Sequence, residues 1–366
     1  MKRRWTAEEA NSWYRHFPWL RGSNFLPSNV VNRLDMYQSY LCEEHLAITD
    51  KELSVSEELG FNTVRLWLDF DCYYLEQDKY LDILEKYISL CAKHHHFVMI
   101  VITHEEDLPY GERFVQERRL GEQVKRFTHF NRDYEDYLAH YSERKHYLEY
   151  EEIRPLFLEM VDKVVKKYSK DDRIIVWNIY NEPGITIGDR SIPIVQLLAN
   201  LVRSNDPIQP LCSDIWRNIN DDGSFQSDAE KIGFELSDII SYHCYGNLAS
   251  FRRRLKILKQ HYQRPIFVTE WLQRVNHNTV EEIYPLMAEE KVACYCWGFV
   301  NGDTFTDEPW NDIWLQYEKD KNVDYDFTKW QHNLYRRNLL PYNPKEIEII
   351  KRVNNLIDAE NKRKTK

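Results

Sequence analysis

Glu182 and Glu270 each close an apolar, strand-like run: residues Arg173–Gly184 read RIIVWNIYNEPG, and Arg264–Arg274 read RPIFVTEWLQR. Two carboxyl groups delivered in this way can divide the work of breaking a sugar–sugar bond. A glycosidic oxygen is a poor leaving group, so one carboxyl must protonate it. The other captures or stabilises the positive charge that develops on the ring. If the second acts as nucleophile, the two face each other across roughly 5–5.5 Å, and activity rises and falls with pH as one must be ionised and the other protonated.

The chain around these glutamates alternates strand and helix signals. Eight candidate strands are Leu20–Phe25, Thr63–Leu68, Phe97–Thr103, Ile174–Ile179, Leu211–Ile215, Ile239–His243, Ile266–Thr269 and Ala293–Trp297. Helical patterns fall between them at Thr49–Leu59, Tyr80–His94, Ile153–Tyr168, Ile192–Arg203, Ala229–Phe234, Phe251–His261 and Val280–Glu290, with a last helix over Pro344–Leu356. In Ile153–Tyr168, the apolar residues Phe157, Met160, Val161, Val164, Val165 and Tyr168 recur at helical spacing. Short apolar strands separated by helices imply a parallel sheet covered on its outer face. Eight such units predict an α/β fold of the (β/α)8 TIM barrel class, a single domain over residues 1–366. Both glutamates then lie on the C-terminal rim, where barrel enzymes place their chemistry. Two stretches exceed simple connections: Glu105–Tyr150, expected as a lid over that rim, and Asn301–Tyr342, expected as a packing collar with Trp310, Trp314 and Trp330.

The other polar residues at predicted strand ends can then be collected: Arg65 in the second strand, His104 after the third, Asn181 beside Glu182, His243 and Tyr245 at the sixth, and Trp297 at the eighth. With Glu182 and Glu270, this set resembles the retaining β-glycosidases of clan A, most closely glycoside hydrolase family 5, which contains cellulases and mannanases. The likeness runs from Arg21–Asn29 to Trp297. It implies Glu270 as nucleophile, steadied by Arg65 and the Tyr245 hydroxyl, and Glu182 as acid and then base. Asn181 would meet the sugar 2-hydroxyl, His104 and His243 would orient hydroxyls and the acid, and Trp297 would floor the reacting subsite. Outer sugar contacts are expected from Trp67 and Trp271, with Asp69, Trp216, Arg217 and Trp310 also near strand ends.

Composition narrows the partners. A net charge of −10 argues against nucleic acid, whereas a neutral β-linked oligosaccharide or glycoside is compatible with it. Aromatic residues make up 14 % of the chain, including 11 Trp, enough to fill a core and still face sugar rings. No run of 18 apolar residues would span a membrane. The basic start Met1–Arg4 leads into charged Glu8 and Glu9 rather than an apolar signal segment, and the seven cysteines lack metal-type spacing, which together predict a reducing cytoplasm. The strand ends show neither a His-x-His pair nor an evident carboxylate cluster, so no metal and no cofactor is expected. The run His94–His96 falls between a helix and the third strand, hence on the opposite face, where a helix cap is expected. The alternatives to hydrolysis are a transglycosylase with the same residues, or a sugar-binding barrel without catalysis.

Overall fold

The computed structural model describes residues 3–105, 119–123 and 145–364. Eight parallel strands close into a barrel in chain order. They are β1 Arg21–Asn24, β2 Thr63–Trp67, β3 Phe97–Val101, β4 Ile174–Tyr180, β5 Leu211–Ile215, β6 Ile240–His243, β7 Ile266–Trp271 and β8 Ala293–Cys296. Strands β2 and β4 are buried at every position, as strands must be when the barrel interior lies on one side and helices on the other.

The helices are α1 Ala7–Tyr14, α2 Arg33–Tyr37, α3 Cys42–Glu58, α4 Phe70–Glu76, α5 Asp78–Lys93, α6 Arg154–Tyr168, α7 Ser191–Ser204, α8 Asp228–Leu236, α9 Leu248–His261, α10 Val280–Glu289, α11 Asn311–Lys319 and α12 Pro344–Lys364. The stripe of α6 from Phe157 to Tyr168 is buried, as its spacing predicts. Helices α1, α2, α4 and α11 have 8, 5, 7 and 9 residues, too short for periodicity to announce them. Aromatic residues in and just after α1 close the bottom of the barrel. Trp13 and Tyr14 pack on Phe267, and Phe17 on Phe97.

The pairing register shifts at Asn178/Tyr180 in β4, Tyr242/His243 in β6, and Val268/Trp271 in β7. Such irregularities re-aim side chains locally, and these three lie near the rim residues named above. After β8, Trp314 stacks on Phe327 and Trp330 on Tyr342, so much of the 301–342 segment packs on itself as a collar. Most of the expected lid over 105–150 lies outside the described residues.

Candidate active site

Arg65 organises the barrel mouth. It rises from β2 with none of its side chain exposed, and a guanidinium so placed must meet several acceptors. Nη1 donates to Asn24 Oδ1 and Glu270 Oε1, both at 2.8 Å. Nη2 donates to Asn181 Oδ1 at 2.7 Å and Asp214 Oδ2 at 2.8 Å. One side chain thereby links β1, β5, β7 and the turn that follows β4. The second oxygen of Glu270 accepts from the Tyr245 hydroxyl at 2.8 Å.

Glu182 follows β4 with a positive φ of 47°, a conformation non-glycine residues take up at a cost and one found disproportionately at functional sites. Its backbone is held from both sides. Asn181 N–H donates to Thr103 O, and the loop just beyond gives three backbone N–H groups, those of Gly184, Thr186 and Ile187, to the buried carboxylate of Glu105. The Glu182 side chain points to His243, whose Nδ1 lies 2.6 Å from Glu182 Oε1 and 3.4 Å from Glu270 Oε2. The imidazole therefore sits between the two glutamates. An atom of each of Glu182, His243 and Glu270 lies within 4.8 Å of the others.

The charges of this cluster are strongly coupled. Burial alone would drive His243 neutral, but Glu270, Asp214 and Glu182 outweigh it and push the imidazole up to about 10. Burial raises the Glu270 carboxyl above its ordinary value, against which His243, Arg65 and the Tyr245 hydroxyl favour the carboxylate. The Glu182–His243–Glu270 spacing could admit a metal ion, but the Arg65 guanidinium bonded to Glu270 puts a fixed positive charge in the same space. That charge works against a cation.

Against this geometry, a model of the cellulase family (glycosyl hydrolase family 5) matches residues 32–334. The chain belongs to glycoside hydrolase family 5. It is accordingly a glycoside hydrolase, as its resemblance implied. Among solved structures it is similar to an endo-β-1,4-mannanase from Thermotoga petrophila, at 14 % identity and TM-score 0.55 over 93 % of this chain and 77 % of that one. It is also similar to GH5_18 from Streptomyces cattleya in complex with GlcNAc, at 10 % identity and TM-score 0.60 over 93 % and 80 %. A family 5 mannosidase from Rhizomucor miehei in complex with mannosyl-fructose follows at 13 % identity and TM-score 0.56 over 92 % of each chain. No curated protein matches the chain.

The family 5 barrel brings most of the expected residues to one place. Arg65, Asn181, Glu182, His243, Tyr245 and Glu270 form one connected network. Trp67 joins it by lying over the Arg65 guanidinium, 4.7 Å from carbon to ring centre, and by meeting Trp297 edge-on at 5.8 Å. His104 stands at the other side of Trp67, 5.3 Å between ring centres, and contacts Arg33. Trp310 packs edge-on against Tyr245 at 4.8 Å, so it belongs to the rim as well as to the collar. Trp216 and Arg217 grip the loop after Glu182, donating to the carbonyls of Pro183 and Gly184.

Trp271 is a correction. It is 1 % exposed and stacks on Tyr284 of α10 in the layer between sheet and helices, where no sugar reaches it. Strict alternation after Phe267 and Thr269 would turn Trp271 inward. The register shift lets Thr269 and Glu270 both face the mouth and sends Trp271 outward. A second correction concerns carboxylates, which do cluster: Asp214, Glu182 and Glu270 all face His243. Asp214 was not among the expected site residues, nor were Asn24 and Glu105. For Asp214 the available signal was an acid inside an apolar strand, which must find a buried cation.

Proposed function

We propose that this chain is a retaining β-glycosidase that cleaves β-linked oligosaccharides or glycosides by double displacement. The observation that carries this reading is the closeness of Glu182 and Glu270, with one carboxyl oxygen of each within 4.8 Å of the other and one imidazole nitrogen facing both. That closeness fits the roughly 5–5.5 Å carboxyl separation of retaining sites rather than the roughly 6.5–9.5 Å that leaves room for an inverting water.

Glu270, held by Arg65 and Tyr245, attacks the anomeric carbon as a carboxylate while Glu182 protonates the departing oxygen. Glu182, now a carboxylate, takes a proton from water, which attacks the same carbon and releases Glu270 from the ester. Asn181 gives its oxygen to Arg65, which leaves its amide group to donate to the sugar 2-hydroxyl. Trp297 and Trp67 line the reacting subsite, with His104 beyond Trp67.

The collar against Tyr245 walls one side of the mouth, which favours short oligosaccharides and exo-like attack over long polymer. Three structural relatives carry mannanase or mannosidase names or a sugar complex, making β-mannosides the first substrates to try. Seven unpaired buried thiols fit a reducing compartment, and we place the enzyme in the cytoplasm. A screen of aryl β-mannosides, β-glucosides and β-linked disaccharides, with product anomers followed by NMR, tests this reading. Release of the β-anomer first is expected. Release of the α-anomer first would contradict it, and sugar binding without turnover of any glycoside would make the chain a lectin-like barrel.

A further inference from the structure

Three carboxylates face the His243 ring, and in the reaction proposed above only two of them change charge. Glu270 loses its charge on forming the ester. Glu182 gives up its proton and then takes one back. Asp214 has no such part, yet it is the most deeply built of the three. On β5 it is 1 % exposed; its Oδ2 accepts from Arg65 Nη2 and Asn178 Nδ2, each at 2.8 Å, and its Oδ1 from Thr269 Oγ1 at 2.9 Å and from Ser241 Oγ. Those donors come from β2, β4, β6 and β7. The two N–H donors on Oδ2 fix that oxygen as an acceptor, as in an ionised carboxylate.

His243 bridges this fixed anion and the reacting pair. Its Nδ1 edge faces Glu182 and Glu270, while Nε2 on the opposite edge faces Asp214 Oδ2 at 3.5 Å. That last distance is at the outer limit of a hydrogen bond, so the link is mainly one of charge. Among the described residues, the other charged and titratable groups around the ring are Arg65 from β2, the Tyr245 hydroxyl beside Glu270, and Arg254 from α9, whose guanidinium donates to the His243 carbonyl. The two arginines oppose a charged imidazole, so its proton depends on the carboxylates.

Resting for its timing on the double-displacement reading, we propose that Asp214 is a positioning residue that acts as the site's permanent counter-ion. It holds His243 as an imidazolium and Arg65 in place while the charges of Glu270 and Glu182 come and go. The charge balance fits. In the reactive free enzyme, where double displacement requires Glu182 to hold the proton it donates, Arg65 and His243 are offset by Asp214 and Glu270. In the glycosyl-enzyme, the same two cations are offset by Asp214 and Glu182, with Glu270 esterified. The buried cluster stays neutral through both states, and an uncompensated buried charge is avoided at each. Burial works to raise the Asp214 carboxyl, but Arg65 and His243 outweigh it and hold it well below the usual carboxylate range. Asp214 therefore remains ionised wherever the enzyme works.

Histidine-selective 13C/15N NMR of the whole chain tests this, with the His243 signal identified by its absence in His243→Gln. Wild-type His243 is expected to stay doubly protonated from pH 5 to pH 9. In Asp214→Asn it should titrate inside that window, its pKa lowered by at least about one unit. Activity should then show an alkaline loss additional to the one set by the Glu182 proton, because the imidazolium is lost as pH rises through the lowered value. Asp214→Glu, which restores the charge, should restore much of the wild-type behaviour. An Asp214→Asn protein that folds, keeps His243 doubly protonated to pH 9 and leaves the pH profile unmoved would overturn the proposal. Should Asp214→Asn not fold, the wild type decides. It is incubated with 2-deoxy-2-fluoro-β-mannosyl or -glucosyl fluoride, and mass spectrometry shows whether Glu270 is labelled. In enzyme so trapped, His243 is expected to stay an imidazolium at pH 7, and its deprotonation on trapping would overturn the role given to Asp214. Failure of Glu270 to take the label would instead count against the double-displacement reading, leaving the wild-type titration of the free enzyme to judge Asp214: a His243 that becomes neutral below pH 9 there would overturn it.

Discussion

The two ends of this barrel each carry a histidine–carboxylate cluster with contacts of the same length, and they differ in nearly everything else. At the C-terminal mouth, His243 Nδ1 lies 2.6 Å from Glu182, and the imidazole and Asp214 side chains are 2 % and 0 % exposed. At the N-terminal end, His94 lies 2.6 Å from Asp50 and His95 2.6 Å from Glu57; the His94 side chain is only 11 % exposed, but those of Asp50, Glu57 and His95 are 38 %, 40 % and 82 % exposed. There, His94 caps α5 and Lys93 shares Asp50. Lys93 and His94 draw the Asp50 carboxyl below its ordinary value, and His95 does the same for Glu57. Water screens both, so the shifts carry little stability. Contact distance alone therefore does not mark a reactive site. Burial makes the difference, because it removes the screening and ties the charge of each group to that of its neighbours.

The sharpest break between the two ends should come from substitution. Glu270→Ala is expected to lower kcat/KM by roughly 10^4- to 10^6-fold, as loss of a nucleophile does. Glu182→Ala should cost roughly 10^2- to 10^4-fold on unactivated glycosides. The loss should be smaller for an aryl glycoside whose leaving group needs no proton. Steady-state kinetics on both substrate types measures this, and equal losses on the two for Glu182→Ala would remove its role as acid.

A second contrast separates two tryptophans assigned alike from sequence. Trp271→Ala removes a buried ring stacked on Tyr284 and should destabilise the fold by about 3–5 kcal/mol in denaturant unfolding, leaving kcat/KM of the folded fraction nearly intact. Trp297→Ala should do the reverse, weakening kcat/KM with little change in unfolding midpoint. If Trp271→Ala mainly damaged turnover, the outward placement of that side chain would be wrong.

These contrasts show which parts of the molecule were legible in the chain. The strands were, because short apolar runs followed by helical spacing leave few alternatives, and the two glutamates were, because each ends such a run. The direction of Trp271 was not, since it depends on a register shift in β7 that no local residue pattern announces. Asp214 was hidden for a related reason. Its partners Arg65, Asn178, Ser241 and Thr269 come from four other strands, and only closure of the barrel brings them together. The short helices α2 and α4 follow strand ends rather than a periodic pattern. They became visible only once the rim was built.

The pH profile offers a gentler test of the same contrast. The carboxyl of Glu270 is raised by burial, and its attack requires the ionised form, so kcat/KM should fall as pH drops through a value above the ordinary glutamate pKa of about 4.3. Full activity maintained down to pH 4 would contradict a raised nucleophile. The smallest effect is expected at the other end of the barrel. His94→Gln with His95→Gln should change stability by less than about 1 kcal/mol, shrinking further in high salt, and leave kcat/KM within about twofold. Thermal unfolding and kinetics at two salt concentrations check this, and a large loss of turnover would mean that this cluster also reaches the chemistry.

The measurement closest to the central claim is the identity of the residue that bonds to the sugar. A 2-deoxy-2-fluoro glycoside with an activated leaving group should inactivate the enzyme by forming a slowly hydrolysed ester, and peptide mass spectrometry should place the added mass on Glu270. Substituting Glu270→Ala should abolish the label, while azide should rescue its turnover as an α-glycosyl adduct. A label on Glu182 or any other residue, or a β-glycosyl azide from Glu270→Ala, would contradict the account of how this site works.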